Sequence, residues 1–212
     1  MLNFEVFTFN PFQENTYLLW DETKEAVIID PGCYEEFEKQ ELISFIEQNG
    51  LKPVRLLNTH CHIDHALGNF FIQKKYNLKI EAHPLEKQIL AAIPSYATNY
   101  GFAEYQSTEI EVELNEGEQI LFGNTILDIL FLPGHAPGHI AFLDKASKNC
   151  FLGDVLFQGS IGRTDLPGGD FDTLIKSIKE KLFLLDDDII AHPGHGPNTN
   201  LGIEKRTNPF LT

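Results

Sequence analysis

Three imidazoles and a carboxylate fall within six residues in the stretch Thr59-His60-Cys61-His62-Ile63-Asp64-His65. The cluster follows the apolar run Val54-Arg55-Leu56-Leu57-Asn58, which reads as a buried strand. It precedes the helix-like Ala66-Leu67-Gly68-Asn69-Phe70-Phe71. Alternate residues of an extended chain project to one side, so His60 and His62 aim at one point beyond the strand tip. Asp64 and His65 turn back toward that point from the helix start. Neutral imidazole nitrogen and carboxylate oxygen are the donors that zinc and iron prefer. A lone aspartate here would read as a helix cap, and a lone histidine as a surface residue. Four such side chains at this spacing read as a metal site.

Each later polar motif repeats that geometry, an apolar strand ending at a histidine or aspartate beside glycine or proline. His135 stands just past a strand in Phe131-Leu132-Pro133-Gly134-His135-Ala136-Pro137-Gly138-His139. Asp154 does so in Phe151-Leu152-Gly153-Asp154, and His195 in Ile190-Ala191-His192-Pro193-Gly194-His195. Small residues at such places let loops approach a common point closely. Any one of them alone would be a turn residue. With eight histidines in the chain, convergence explains the set better.

Between these motifs lies enough apolar sequence for a sizeable core: 42% of the 212 residues, including 17 Phe. Strand-like runs cover the N-terminal 30 residues, helical spacing covers Glu35 to Asn49, and short strands recur from Ile120 to Leu152. A helix fits Phe171 to Leu184, and a last strand begins at Asp188. Residues Ser95 to Glu116 are weakly patterned and read as a surface loop bordering the site. No linker or repeat divides the chain, so a single domain over residues 1–212 is expected. No apolar run approaches the length of a membrane helix, and the start lacks the pattern of a secretory signal. The three cysteines, Cys33, Cys61 and Cys150, are odd in number and widely spaced, which points to a reducing, cytoplasmic compartment. Cys61 should turn away from its neighbours as a small buried hydrophobe. A net charge of −15 argues against a nucleic-acid partner.

His60-Cys61-His62-Ile63-Asp64-His65, with His135, Asp154 and His195 following in order, resembles the signature of the metallo-β-lactamase superfamily. Gly159-Ser160-Ile161-Gly162-Arg163-Thr164-Asp165 and Glu204-Lys205-Arg206-Thr207-Asn208-Pro209-Phe210 resemble its short glyoxalase-II-like (hydroxyacylglutathione hydrolase-like) members. The resemblance implies an α+β fold, a four-layer αββα sandwich of two mostly antiparallel or mixed sheets flanked by helices. It also implies a ligand division for two divalent metal ions, zinc first with iron or manganese as alternatives. His60, His62 and His135 would take one ion, Asp64, His65 and His195 the other, and Asp154 would bridge. Only Gly196 to Thr212 follow His195, so the C-terminal helical domain that helps two-domain glyoxalase II enzymes hold glutathione is not expected.

The activity so implied is hydrolysis of a small acyl thioester such as S-D-lactoylglutathione by a metal-bridging hydroxide that Asp64 orients. The partner is a small molecule, with no membrane surface, and the chain would act as a monomer or small homo-oligomer. Arg163 lies where relatives carry a basic residue for a substrate carboxylate, and a structural ion pair is the competing reading. Persulfide dioxygenases share this resemblance and would use a single iron on His60, His135 and Asp154. A lactonase would also fit the fold. His83 reads as structural, His139 and His192 as supports for neighbouring ligands, and Asp30 before Pro31-Gly32 as a turn residue first, with orientation of a ligand histidine as the other reading.

Overall fold

In the computed structural model, which describes residues 1–212, β1 (Asn3–Phe9) pairs antiparallel with β2 (Glu14–Trp20). Consecutive side chains of β2 enter different cores, because strand side chains alternate between faces. Tyr17 and Leu19 join one apolar cluster while Leu18 joins another. The sheet continues through β3 (Glu25–Ile29), β4 (Lys52–Leu57), β5 (Ile80–Ala82) and β6 (Val112–Glu113). From β3 onward the pairing is parallel, with Ile29 opposite Leu57 and Leu57 opposite Glu81. Connections between these strands carry α1 (Glu36–Gln48), α2 (Ile63–Ala66), α3 (Asn69–Tyr76) and α4 (Lys87–Ala92).

A second six-stranded sheet has the order β14-β13-β10-β9-β8-β7. Its strands are β7 (Gln119–Phe122), β8 (Thr125–Phe131), β9 (Ile140–Asp144), β10 (Asn149–Gly153), β13 (Ile190–Pro193) and β14 (Thr199–Asn200). A small ribbon, β11 (Leu156–Phe157) and β12 (Ser160–Ile161), follows β10. Helix α5 (Phe171–Glu180), capped by the Asp170 carboxylate accepting from the Thr173 N–H at 2.8 Å, and α6 (Leu201–Thr207) cover its outer face. This sheet is mixed too, since β10 and β13 run parallel while β7 to β10 alternate in direction.

Three apolar clusters separate four layers. Leu42, Ile46 and Ile72 of the helices pack on Leu18, Ile28 and Leu56 of the first sheet. Tyr17, Leu19 and Val27 meet Leu127, Phe142 and Phe151 between the sheets. Leu174, Ile178 and Leu201 pack on Leu143 and Leu152 of the second sheet. The inner strands are covered on both faces, which is why they read as continuous apolar runs. The result is the αββα sandwich of the α+β class that the sequence resemblance implies. No helix is long and apolar enough to cross a membrane.

The stretch 95–116 differs from the loop expected of it. Ala97, Phe102, Ile110 and Leu114 are buried, the first three against Cys61, Leu67 and Ile93, and Val112–Glu113 adds a strand to the first sheet. Its buried residues are spaced without helical or strand period because one 3₁₀ turn, Ala97–Tyr100, carries the first and irregular chain carries Phe102, Ile110 and Leu114.

His192 also departs from expectation. Rather than supporting a neighbouring ligand, it lies between the sheets, stacked on Phe151 at 5.0 Å and edge-on to Phe4 at 4.7 Å. Its Nε2 donates to Asn149 Oδ1 at 2.8 Å, and burial pushes its pKa down to about 4. Above the ordinary histidine value near 6.5 neither the folded nor the unfolded chain protonates this ring, so stability is unaffected. Between about 6.5 and about 4 the unfolded chain takes up a proton that the folded chain refuses, and stability falls as pH falls. His192→Gln should therefore flatten the loss of denaturant midpoint over that interval in metal-free buffer; parallel pH profiles for variant and parent would contradict this.

Candidate metal centre

Four strands of the two sheets deliver the sequence-predicted donors to one rim. β4 ends at the His60 to His65 cluster, β8 at His135, β10 at Asp154 and β13 at His195. The β10–β13 register shifts between Phe151 and Gly153, a local irregularity of the kind that re-aims the side chain that follows. Gly194 is required close by, since a Cβ there would strike both Asp154 and the His65 ring.

His60 Nε2, His62 Nδ1 and His135 Nε2 meet, with His62–His135 at 2.9 Å and His60–His135 at 3.2 Å. Tetrahedral zinc with bonds near 2.0–2.1 Å spaces its nitrogens by about 3.3 Å, so the trio has the spacing of one coordination sphere. Asp64, His65 and His195 form a second group whose donor atoms lie within 4.8 Å of one another. Asp154 stands between the groups, with Oδ2 3.6 Å from His135 Nε2 and 3.5 Å from His195 Nε2. Its Oδ1 is 3.5 Å from His65 Nε2.

The outer nitrogens show what these rings present to one another. His135 Nδ1 donates to the Arg163 carbonyl at 2.7 Å, and His195 Nδ1 to the carbonyls of Phe12 and Gln13 at 3.0 and 3.2 Å. His65 Nδ1 donates to Asp30 Oδ2 at 3.2 Å. Thr59 Oγ1 gives its proton to Asp30 at 2.6 Å, so its lone pair accepts from His60 Nδ1 at 3.1 Å. Fixing the proton on Nδ1 leaves Nε2 as a bare lone pair. His195 Nε2 faces Asp64 Oδ2 at 3.2 Å, a contact that needs a proton or a cation between the two atoms. His65 Nε2 and Asp154 Oδ1 are buried with no hydrogen-bond partner at all. Each of these facings calls for positive charge between the two atoms, which a proton on His65 or His195 supplies in the metal-free protein and a bound cation would supply in its place.

Electrostatics agree. Burial alone would raise the Asp154 and Asp64 carboxyls, yet the neighbouring imidazoles, His65 foremost, hold both below the usual carboxylate range. Burial would lower His65 and His195, but the carboxylates beside them, Asp64 and Asp154, hold both above the ordinary value, so these two rings carry a proton that a bound cation would displace. Around the trio the balance is opposite: burial pushes His62 down to about 3 and lowers His60 and His135, keeping those rings neutral. Neutral imidazole is the coordinating form.

Asp30 is more than a turn residue. It does take φ +50° at the end of β3, but its carboxylate accepts from the Thr59 N–H at 2.7 Å as well as from Thr59 Oγ1 and His65. The signal was an aspartate at the tip of the strand beside β4. His139 supports the site as expected: its Nε2 accepts from the Asp154 N–H at 3.0 Å, and its ring stacks on His60 at 4.8 Å. His83 packs on Phe131 at 4.6 Å. Cys61 is fully buried and turned away from the donors, in the cluster with Leu67 and Ile93. Glu14, fully buried beside His65 at 3.8 Å, gave no sequence signal.

Both donor groups open into a cavity of about 860 Å³. Phe12, Ile89, Tyr96, Tyr100, Phe157 and Leu166 supply its apolar walls, and Arg163 stands at its side. The Arg163 guanidinium grips Asp165 through two bonds of 2.7 Å while it lines the cavity.

A family model described as "Metallo-beta-lactamase superfamily" matches residues 9–195. Hydroxyacylglutathione hydrolase GloC of Haemophilus influenzae is 42% identical over 212 residues, covering 99% of this chain and 98% of that protein. Among solved structures, BLEG-1 B3 metallo-beta-lactamase superposes with a TM-score of 0.90 at 33% identity, covering 99% of this chain and 100% of that one. TTHA1623 in a di-iron-bound form superposes with a TM-score of 0.86 at 40% identity, covering 98% and 100%. The rim of donors, the double-sheet frame beneath it and these likenesses agree, and the chain belongs to the metallo-beta-lactamase superfamily.

Proposed function

We propose that this metallo-hydrolase cleaves a small acyl thioester, with His60, His62 and His135 holding one divalent metal ion, Asp64, His65 and His195 a second, and Asp154 shared between them. The observation that carries the reading is the facing of bare imidazole lone pairs and carboxylate oxygens on the floor of a part-apolar cavity. Bound divalent ions supply Lewis acidity and bring the pKa of coordinated water toward neutrality. Zinc is the first choice for this donor set, and the di-iron form of TTHA1623 makes iron the alternative to test.

Asp64 lines the cavity and is the proposed catalytic residue. Its carboxylate, held ionised, accepts a hydrogen bond from the attacking water and orients it toward the acyl carbon. The leaving group follows from what else lines the cavity. Beyond the donor set its ionisable groups are Arg163, Tyr96 and Tyr100. Guanidinium and phenol are weak acids at neutral pH, and burial pushes Tyr96 further up, to about 12. A thiol of pKa near 8.5 departs as thiolate without a proton donor, whereas an amide nitrogen or an alkoxide needs one. The site is thus better matched to a thioester than to a lactam or lactone. The name of the GloC relative points the same way, with S-D-lactoylglutathione as the leading substrate. Arg163 is the proposed contact for a carboxylate on that substrate.

Asp154→Ala and His135→Ala should each lower thiol release from S-D-lactoylglutathione by at least about 10²-fold while leaving the far-UV circular dichroism spectrum unchanged. Full activity in either would refute the donor assignment. Two zinc ions per chain with thiol release would support the hydrolase, whereas one iron with oxygen uptake on glutathione persulfide would replace it by a dioxygenase. Arg163 is exposed and already paired, so its contribution is that of a surface ion pair, on the order of 1 kcal/mol or less. Arg163→Met should raise KM for a carboxylate-bearing thioester by up to about fivefold, with kcat and the KM for a neutral thioester unchanged. Equal effects on both substrates would remove Arg163 from substrate binding.

A further inference from the structure

Glu86 follows β5 in a single 3₁₀ turn, Pro84–Glu86, and its side chain is fully buried. Its two carboxylate oxygens accept from two different loops. Oε2 takes the Cys61 N–H at 2.8 Å, and Oε1 takes the Gly138 N–H at 2.7 Å. Cys61 lies between His60 and His62, and Gly138 lies three residues beyond His135. One carboxylate therefore bridges the two chain segments that carry the trio, without touching any of its rings.

No lysine or arginine pairs with Glu86, which has no salt bridge. Burial is the dominant influence and pushes its pKa up to about 7, against the pull of the two N–H donors. A buried carboxylate without a cation costs folding free energy, and a scaffold needing only two N–H acceptors could use a neutral group. The glycine across from it is equally particular. A Cβ at Gly138 would lie 2.9 Å from Glu86 Cγ and Oε1 and 3.0 Å from its backbone nitrogen, so the loop is seated tightly on this side chain.

We propose that Glu86 is a positioning residue for one metal site alone: it ties the Cys61 and Gly138 backbones together and so sets the spacing of His60, His62 and His135. The proposal rests on the donor assignment above. His65 and His195 are positioned by other groups, Asp30 and the Phe12 and Gln13 carbonyls, and the Asp64 carbonyl accepts from Asn10 Nδ2 at 3.1 Å; none of these bonds involves Glu86. Precise ligand spacing governs affinity, and loss of an orienting group typically weakens binding by about 10–100-fold.

The test is zinc titration of metal-stripped protein in competition with a chromophoric chelator, alongside thermal unfolding of the same metal-free samples. Glu86→Gln keeps the shape, turns one acceptor into a donor facing an N–H, and removes the buried charge. The metal-free variant should unfold at the parent temperature or above it. One of its two zinc sites should keep parental affinity while the other weakens by about 10–100-fold. In a His135→Ala background, which already lacks a trio ligand, Glu86→Gln should change nothing further. Two sites of parental affinity, or equal weakening of both, would overturn the proposal. Should Glu86→Gln fail to fold, Gly138→Ala presses on the same contact from the other side and must show the same selective loss, parental affinity there being equally fatal. A parent that binds fewer than two zinc ions, or a His135→Ala that still binds two tightly, would instead refute the donor assignment itself.

Discussion

Acceptor facing acceptor is the constraint on which this molecule turns. His195 Nε2 looks at Asp64 Oδ2 across 3.2 Å, and His60 Nε2 at His135 Nε2 across the same distance, with the Nδ1 protons of all three rings committed outward. Folding that brings such groups together in a low-dielectric rim is unfavourable unless protons or cations lie among them. The two sheets, well packed on three apolar clusters, supply the free energy that holds the donors there in advance. Metal binding then returns stability to the same elements, because ions that bind only the folded arrangement favour it by mass action.

The outward commitments are distributed over the fold in a consistent way. In the first sheet, adjacent parallel strands β3, β4 and β5 end in Asp30, the His60 cluster and, one turn further, Glu86. The middle strand carries donors, and its neighbours on either side carry the carboxylates that steady them. Across the sandwich, the start of β2 is bonded to the His195 loop by the Asn15 N–H to the Gly194 carbonyl at 2.7 Å and by Tyr17 Oη to the Pro193 carbonyl at 2.7 Å. Carboxyl ends of parallel strands are where open α/β sheets leave a crevice, and here two sheets contribute their crevices to one place.

What the sequence disclosed and what it hid divide along a physical line. Histidine beside glycine at a strand end is a local pattern, and His60, His62, His65, His135 and His195 were legible for that reason. The αββα layering came through the resemblance that those motifs carry, with which the succession of strands and helices agrees. Glu14 and Glu86 were hidden because their meaning is tertiary, while Asp30 could be read either as a turn or as an orienting group until its contacts with Thr59 and His65 were seen. Glu86 sits 25 residues from Cys61 and 52 from Gly138, and nothing in Pro84-Leu85-Glu86 distinguishes it from an exposed helix start. His192 misled for the opposite reason, since nearness in sequence to His195 did not place it near the donors: strand alternation turned it into the inter-sheet core. The segment 95–116 lacked any period and yet packs, because one 3₁₀ turn and irregular chain bury Ala97, Phe102, Ile110 and Leu114 at spacings that match neither a strand nor a helix.

The cavity carries a consequence for selectivity. Arg163 is its one lysine or arginine, and that guanidinium is shared with Asp165, in a chain whose net charge is −15. Long-range attraction therefore works against an anionic substrate, and an exposed, pre-paired arginine offsets little of it. Affinity for the organic part of a ligand must come from Phe12, Tyr96, Tyr100, Phe157 and Leu166, where burial of apolar surface contributes roughly 25 cal/mol per Å². Such walls reward area and shape rather than a particular charge pattern. A site of this kind places few demands on the charge of the part of a ligand that lies against its walls, and leaves selection among ligands to the donors on its floor.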